Sequence, residues 1–369
     1  MGLKTGITTN VVDSARYYKG VANYVKNLVL NLSKINTNHK FYLVHFQEHS
    51  DEIYQLGLNE VVIRQKFLFP ISNRFVSFKA GERLEDLDVV HITTPTISEF
   101  ALCFAPAKKV LTVHGTDLYV PPKYRAKLHT EPKDWFVQKL KSIMLPKLKE
   151  TISVYVTASQ FLKRELVENL RIPDARVKVI PFAASEVFKP KEFQKSMDFI
   201  LSDTPVPSLI KIYYNLKKRG VKHKLVVFGY RAYGYEKAKE MAANLGIQND
   251  VIFAGHLPQP DLVRLYNTAD VYVRIAMYEG FGLPPLEAMA CGCPVVTTNV
   301  GSLPEVVGDA GILKNQGDIE GLVNAIYEVL TNDGLRQDMI KKGLERAKMF
   351  SWEKTARETT KVYEEVVKN

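Results

Sequence analysis

The chain has 369 residues, 46% of them apolar and 24% charged, a balance that is ordinary for a soluble globular protein. At about 150 residues per domain, this length predicts two domains. No stretch approaches the ~20 consecutive apolar residues of a membrane span, and the N-terminus lacks the apolar core and cleavage site of a signal peptide. We therefore expect a cytoplasmic protein. The net charge of +10 favours anionic partners, such as nucleotide phosphates, anionic lipids, acidic glycans or nucleic acid.

The three cysteines exclude a framework of disulfide bonds, because their number is odd and small: Cys103, Cys291 and Cys293. The last two flank a glycine, but no second Cys or His pair accompanies them. We interpret them as small buried residues at the end of a helix rather than as metal ligands.

Short apolar runs recur along the first half of the chain, and most are continuous rather than alternating. Continuous runs are typical of strands that are covered on both faces of a sheet. Segments with helical periodicity separate several of these runs. The pattern predicts strands at 2–8, 41–46, 89–92, 110–113, 154–157 and 177–180, and helices at 21–35 and 158–170.

The alternation restarts after about residue 197, beyond an irregular linker at 181–196. Six strands are predicted there, at 199–201, 224–228, 251–254, 271–273, 294–298 and 311–313. Helices are predicted at 206–219, 234–245, 259–268, 284–291, 318–330, 333–349 and 352–368.

Strands that alternate with helices predict an α/β protein with two doubly wound parallel sheets. We expect a first domain at 1–182, a second at 197–345, and a C-terminal helix at 346–369 that packs back on the first. Ligands in such folds bind beyond the carboxyl ends of the strands, so functional residues are sought in those loops.

One such loop joins two glutamates to a helix start, since residues 279–287 read Glu-Gly-Phe-Gly-Leu-Pro-Pro-Leu-Glu. The glycines allow close approach of a ligand to the backbone, and Pro284 suits the first turn of a helix. A helix N-terminus attracts phosphate. Glu279 and Glu287 flank this end, where one carboxylate would bind ribose hydroxyls and the other those of a sugar. The motif therefore predicts a sugar-nucleotide site.

This motif resembles glycosyltransferase family 4, retaining enzymes of the GT-B architecture that carry Glu-Gly-Phe-Gly-Leu-Pro-x-x-Glu. The resemblance covers nearly the whole chain and is strongest in the second half. It implies two Rossmann-like domains that face each other across a cleft, the first binding the acceptor and the second the donor. The further matching segments are 19–24, 112–114, 159–163, 179–181, 255–258, 265–271, 292–296, 301–306, 308–311 and 350–353.

The resemblance also implies roles for individual residues. Glu287 would hold the ribose and Glu279 the transferred sugar. His114 would lie at the reacting centre, and Gly20 would let the first long helix approach the diphosphate. The backbone of three loop residues would face sugar and phosphate: Phe281, Gly282 and Leu283.

The implied reaction moves a hexose from a UDP- or GDP-sugar to a glycan or lipid-linked acceptor, in the synthesis of cell-surface glycans. In such retaining enzymes the leaving phosphate assists the incoming hydroxyl, and the protein supplies positioning and electrostatic stabilisation. Neither a metal nor another cofactor is expected.

The chain departs from the family where an arginine and a lysine normally neutralise the diphosphate. The arginine position holds Asp203 or Thr204, and the nearest base is Lys211 on the following helix. Arg274, at the end of a neighbouring strand, is a candidate for the missing positive charge. The alternative is a degenerate site in a non-catalytic sugar-nucleotide-binding or regulatory subunit.

Two aspartates, Asp86 and Asp88, are similar to the metal motif of another glycosyltransferase architecture. They immediately precede the apolar strand at 89–92, so a solvated turn that enters a strand is the favoured interpretation.

Two basic segments rich in aromatic or apolar residues, at 64–79 and 133–149, suit either an acceptor or an anionic membrane surface. A helix packed on the first sheet with a solvated lysine face is favoured for the second segment. Peripheral association with the inner face of a membrane therefore stays an alternative. No nucleic-acid motif accompanies the positive charge, so nucleic acid is not an expected partner.

Overall fold

The computed structural model describes residues 2–13, 19–35, 37–45, 52–63, 84–94, 102, 105–115, 146, 149–229 and 234–368. It divides the chain into two compact units. The first consists of residues 1–182 together with 352–369, and the second of residues 183–351.

The described strands of the first unit form a seven-stranded parallel sheet in the order β3-β2-β1-β4-β5-β6-β7. Its central strands are buried on both faces, which explains their continuous apolar sequence. The elements are β1 (Lys4–Thr8), α1 (Asn10–Asp13), α2 (Lys19–Lys34), β2 (Lys40–His45), β3 (Asn59–Val62), β4 (Val89–Ile92), β5 (Lys108–Val113), β6 (Val154–Thr157), α3 (Gln160–Leu170) and β7 (Val177–Val179).

The described strands of the second unit form a six-stranded parallel sheet in the order β10-β9-β8-β11-β12-β13. Its elements are β8 (Phe199–Ser202), α4 (Pro207–Lys218), β9 (Lys224–Phe228), α5 (Tyr235–Asn244), β10 (Val251–Gly255), α6 (Gln259–Thr268), β11 (Val271–Arg274), α7 (Leu283–Ala290), β12 (Val295–Thr298), α8 (Leu303–Val307), β13 (Ile312–Lys314), α9 (Ile319–Thr331) and α10 (Asp333–Lys348). A final helix, α11 (Trp352–Lys368), belongs to the first unit.

The fold class predicted from the sequence is confirmed, since both units contain a parallel sheet with alternating helices. The predicted strands and helices are present within a few residues of their expected ends. The edge strand β3 was not predicted, because its sequence Asn-Glu-Val-Val is half polar and partly exposed. The helix α8, only five residues long, is too short to show periodicity.

The boundaries of the second unit differ from those expected at 197–345. Residue 346 still belongs to this unit because Arg346 on α10 donates through Nε to the Val306 carbonyl of α8 at 3.0 Å. The segment expected to be a linker also packs here. The Asn267 side chain on α6 accepts from the Lys191 amide at 2.7 Å, and Lys195 pairs with Asp270 at 2.6 Å. The second unit therefore begins at 183.

A buried chain of hydrogen bonds ties α11 to the first sheet. His91 on β4 is fully buried, and its Nδ1 lies 2.6 Å from the Tyr363 hydroxyl on α11. Its Nε2 lies 2.7 Å from the Thr112 hydroxyl on β5, which in turn lies 3.0 Å from the Tyr24 hydroxyl on α2. Burial, with a smaller contribution from His114, lowers the pKa of His91 to about 3, so the ring is neutral.

We expect Tyr363→Phe to lower the free energy of unfolding of the first unit by roughly 1–3 kcal/mol, because one nitrogen of the buried His91 ring loses its partner. Both tryptophans, Trp135 and Trp352, lie in the segments of this unit, so their fluorescence during urea unfolding reports on it alone. Tyr42→Phe on β2 is the control, since Tyr42 is partly exposed and the described residues show no hydrogen bond to its hydroxyl. Equal shifts in the two variants would contradict the prediction.

Candidate functional site

The order of the strands in the second sheet reverses between β8 and β11, and the candidate site lies at the carboxyl ends of these two strands. Such a reversal leaves room for ligands in doubly wound folds. Ser202 pairs with Val273 in the parallel register, which brings the next two residues, Asp203 and Arg274, side by side.

Arg274 lies between two carboxylates. One of its terminal nitrogens, Nη1, bonds to Asp203, while Nε and Nη2 donate to a single oxygen, Oε2 of Glu279, at 2.8 and 2.6 Å. Asp203 also accepts from the Tyr272 hydroxyl at 2.7 Å. The three charged side chains are mostly buried, with 20%, 13% and 15% exposure for Arg274, Asp203 and Glu279. One positive charge therefore faces two negative charges.

The backbone of Glu279 is also held in place. Its carbonyl accepts from both the amide and the hydroxyl of Ser302, each at 3.1 Å. Gly301 has a φ of +59°, and a Cβ at this position would lie 2.3 Å from the same carbonyl oxygen. Only glycine fits there, so the loop before α8 fixes the backbone at Glu279 through direct contact.

The start of α7 presents fewer backbone N–H groups to a ligand than the start of most helices does. Gly282 caps the helix with a φ of +103°, and a Cβ there would lie 3.0 Å from Leu303. Pro284 and Pro285 follow Leu283, and proline has no N–H. Of the first three helical residues, only Leu283 can therefore donate a backbone hydrogen bond to a ligand. The helix dipole still favours an anion here.

Glu287 lies on the second turn of α7 and is partly exposed. Burial, reinforced by the charge of Asp203, raises the pKa of its carboxyl to about 8, while Tyr266 and Arg274 oppose the shift. The Tyr266 hydroxyl is buried close to this carboxyl, and its proximity lowers the pKa of Glu287 in part. The carboxyl of Glu287 therefore favours its neutral form below about pH 8.

Other residues expected at the donor site lie in different surroundings. Phe281 is buried and packs edge-to-face on Phe350, with ring centroids 5.9 Å apart. Lys211 is exposed on α4 and lines an open groove of about 620 Å³ between α4 and α5. Asp203, Arg274 and Glu279 together are called the Arg274 cluster below. No described contact joins Lys211 to this cluster.

Two expected site residues lie in the first unit. His114 follows β5, and its Nε2 donates to the Thr93 carbonyl at 2.7 Å. The edge of its ring contacts Tyr24, with centroids 4.9 Å apart. Gly20 is the second residue of α2 and is exposed, and a Cβ there would contact nothing within 4 Å.

Among the described residues, no three His, Cys, Asp or Glu side chains gather as a metal site would require. Asp88 instead accepts the Lys4 amide at 2.7 Å, which ties the starts of β1 and β4 together. Cys291 and Cys293 are buried free thiols. In the ranges that the structure describes, no helix combines the length and apolarity needed to cross a bilayer. The segments at 64–79 and 133–149 lie outside the described residues, apart from 146 and 149.

The fold is shared with solved glycosyltransferases. A glycosyltransferase from Rickettsia africae ESF-5 superposes with a TM-score of 0.71 at 19% identity, over 100% of this chain and 99% of that one. The Anabaena protein Alr3699/HepE, solved in complex with UDP and glucose, gives a TM-score of 0.73 at 16% identity over 98% and 99% of the two chains. The molecule therefore has the GT-B fold.

The sequence comparisons then identify the family. Residues 18–183 match the family described as Glycosyltransferase Family 4, and residues 204–346 match Glycosyl transferases group 1. Over 274 residues the chain is 30% identical to the O-antigen chain mannosyltransferase B of Escherichia coli, which covers 69% of this chain and 70% of that protein. The chain belongs to the group 1 glycosyltransferases of family 4, and it is a glycosyltransferase.

Sequence reasoning named Arg274 as a candidate for the missing positive charge but did not predict the side chains that bond to it. Asp203 was considered as a departure from the family pattern, not as a partner of Arg274 across two strands. Ser302 and Tyr266 lie in segments that match the family, but neither was given a role, because their contacts with the site depend on the packing of α8 and α6.

The raised pKa of Glu287 predicts a pH-dependent stability. Between pH 4.5, its ordinary pKa, and about 8, the folded state holds a proton that the unfolded state has released. The free energy of unfolding of the parent should therefore fall as the pH rises through this range, relative to Glu287→Gln, which cannot titrate. Scanning calorimetry of both proteins from pH 5 to pH 9 measures the difference in Tm. A constant difference would contradict the raised pKa.

Proposed function

We propose that this glycosyltransferase is a retaining, metal-independent enzyme that moves a hexose from a nucleotide-diphosphate sugar to a glycan or lipid-linked acceptor. The second unit would bind the donor and the first unit the acceptor. The observation that carries the proposal is the pair of carboxylates, Glu279 and Glu287, placed on either side of the glycine loop and the start of α7.

In this proposal Glu287 accepts hydrogen bonds from the ribose hydroxyls, and the buried Tyr266 hydroxyl lies beside this carboxyl. Glu279 binds hydroxyls of the transferred sugar, and His114 lies at the reacting centre. The backbone of 281–283 faces the sugar and the phosphates. Gly20 lets α2 approach the diphosphate, which its open surroundings allow.

The transfer would proceed on one face of the sugar. The bond between the anomeric carbon and the phosphate oxygen breaks, and the acceptor hydroxyl attacks from the side that the phosphate leaves. The hydroxyl proton passes to the departing phosphate, so no protein nucleophile is needed. The protein contributes by holding the reactants in position and by stabilising the developing charge.

Known relatives narrow the range of substrates to test. The matched Escherichia coli protein is named as an O-antigen chain mannosyltransferase, and a structural neighbour was solved with UDP-glucose. A hexose such as mannose or glucose, carried on UDP or GDP, is therefore the donor that we propose, with a cell-surface glycan as acceptor. The enzyme would act in the cytoplasm or at the inner face of a membrane.

A second candidate is a non-catalytic subunit that binds sugar nucleotides. It is favoured by Asp203 and Thr204, which stand where the family resemblance places an arginine. Asp203 also leaves the three-residue charge cluster negative. Such a subunit would bind the nucleotide sugar without transferring the sugar to any acceptor.

Glu287→Ala should weaken sugar-nucleotide binding by roughly 1.5–3 kcal/mol, because hydrogen bonds to a charged carboxylate are lost. The donor is first selected by thermal-shift screening of UDP-, GDP- and ADP-sugars, and affinity is then measured by calorimetry. For the parent, affinity should rise as the pH approaches 8, since ribose binding favours the ionised carboxylate. Glu328→Ala, on the exposed side of α9, is the matched control. Equal donor affinity in Glu287→Ala and the control would remove Glu287 from the site.

Turnover should survive exhaustive chelation, and NMR of the product should show the anomeric configuration of the donor. Inversion of this configuration would contradict the retaining mechanism. Loss of activity with chelator and its recovery with manganese or magnesium would contradict metal independence. Donor binding without transfer to any acceptor would favour the non-catalytic subunit.

A further inference from the structure

Arg274, Asp203 and Glu279 form a charged cluster near the start of α7, and it differs from the arrangement that the family resemblance implies. The base stands at the end of β11, and an acid, Asp203, stands after β8 where the base is expected. The guanidinium is not directed at open space, because all three of its nitrogens bond to carboxylate oxygens.

This geometry argues against Arg274 as the cation for the diphosphate. A leaving diphosphate carries about two negative charges and requires excess positive charge nearby. Arg274 is outnumbered by Asp203 and Glu279, so the three side chains together carry a net negative charge. Releasing the guanidinium to a phosphate would leave two mostly buried carboxylates without their partner, which is unfavourable.

The same contacts fit a different role. Arg274 bonds through two nitrogens to one oxygen of Glu279, Oε2, while the described residues show no hydrogen bond to the other oxygen, Oε1. Ser302 fixes the backbone of Glu279 at the same time. The carboxylate is therefore held in one orientation, with one oxygen available to accept a hydrogen bond from a sugar hydroxyl.

We propose that Arg274 is a positioning residue that orients Glu279 toward the transferred sugar, and that Asp203 holds Arg274 in place for this purpose. The proposal rests on the donor site described above. In this role the Asp203–Arg274 pair affects transfer of the sugar rather than binding of the diphosphate. Arg274 therefore does not replace the arginine and lysine that the family resemblance places near the diphosphate.

The first test separates nucleotide binding from turnover. For Arg274→Ala we expect kcat to fall about tenfold or more, equal to about 1.4 kcal/mol of barrier. The Kd for the nucleoside diphosphate without its sugar, measured by calorimetry, should stay within about twofold of the parent value. Arg264→Ala, on the exposed side of α6, is the control for loss of an arginine in this unit. A nucleoside diphosphate Kd weakened about tenfold or more would overturn the proposal.

Arg274→Lys provides a second test, because lysine keeps the positive charge but lacks the planar fork that bonds to two carboxylates at once. A positioning role predicts that kcat of this variant stays close to that of Arg274→Ala. Recovery of most of the parent kcat by lysine would show that charge alone matters, which would overturn the proposal.

A double-mutant cycle identifies the residue through which Arg274 acts. If Arg274 serves Glu279, then Arg274→Ala should cause little further loss of kcat in a Glu279→Gln background. Additive losses would overturn the proposal while leaving the donor site itself intact. A parent that transfers no sugar from any donor would overturn both the proposed function and this role.

Loss of the arginine leaves two facing carboxylates and could destabilise the second unit. Asp203→Asn combined with Arg274→Gln removes one charge of each sign and keeps the side-chain sizes similar. This variant should retain the parent Tm by calorimetry. It should still show the reduced kcat, because the guanidinium that bonds to Glu279 through two nitrogens is lost. A folded double variant with the parent kcat would overturn the proposal.

Discussion

The reversal of strand order between β8 and β11 is the constraint on which the candidate donor site depends. Parallel pairing in register places Asp203 beside Arg274, and it does so at the carboxyl end of the sheet where a ligand has access. Glu279 then reaches Arg274 because the loop after β11 is short. Its backbone is held by close contact with Gly301 and by hydrogen bonds from Ser302. Strand pairing thus sets the position of Asp203, whereas the loop after β11 sets that of Glu279.

The two glutamates have different surroundings, and this difference separates their proposed roles. Glu279 is ion-paired with Arg274 and fixed at its backbone, so its carboxylate is preorganised. Among the described residues Glu287 has no ion-pair partner, and burial, reinforced by the charge of Asp203, raises the pKa of its carboxyl to about 8. A site with one fixed carboxylate and one that ionises on binding would couple donor capture to release of a proton.

Most of the fold could be predicted from the sequence, because strands buried on both faces leave continuous apolar runs and the helices between them keep a regular period. The Glu279–Glu287 motif was equally visible, since its residues are close together in the chain. The Asp203–Arg274 pair and the Tyr363–His91 pair were not visible, because each joins residues far apart in sequence whose contact is created by strand order or helix docking. The sequence also contains Pro285, but the prediction of a phosphate-binding helix start did not take into account that this proline removes an N–H group from the first turn of α7.

The return of α11 to the first unit has a consequence for synthesis of the chain on the ribosome. Domains usually fold in the order in which they emerge, the N-terminal one first. Here the segment at 183–351 is translated before Trp352–Lys368, so the sheet of the first unit emerges long before the helix that covers it. Until then His91 lacks Tyr363, and the last part of the first unit to fold is also the last to be translated. A ribosome that stalls within the second unit would therefore hold a nascent chain whose N-terminal half is incomplete.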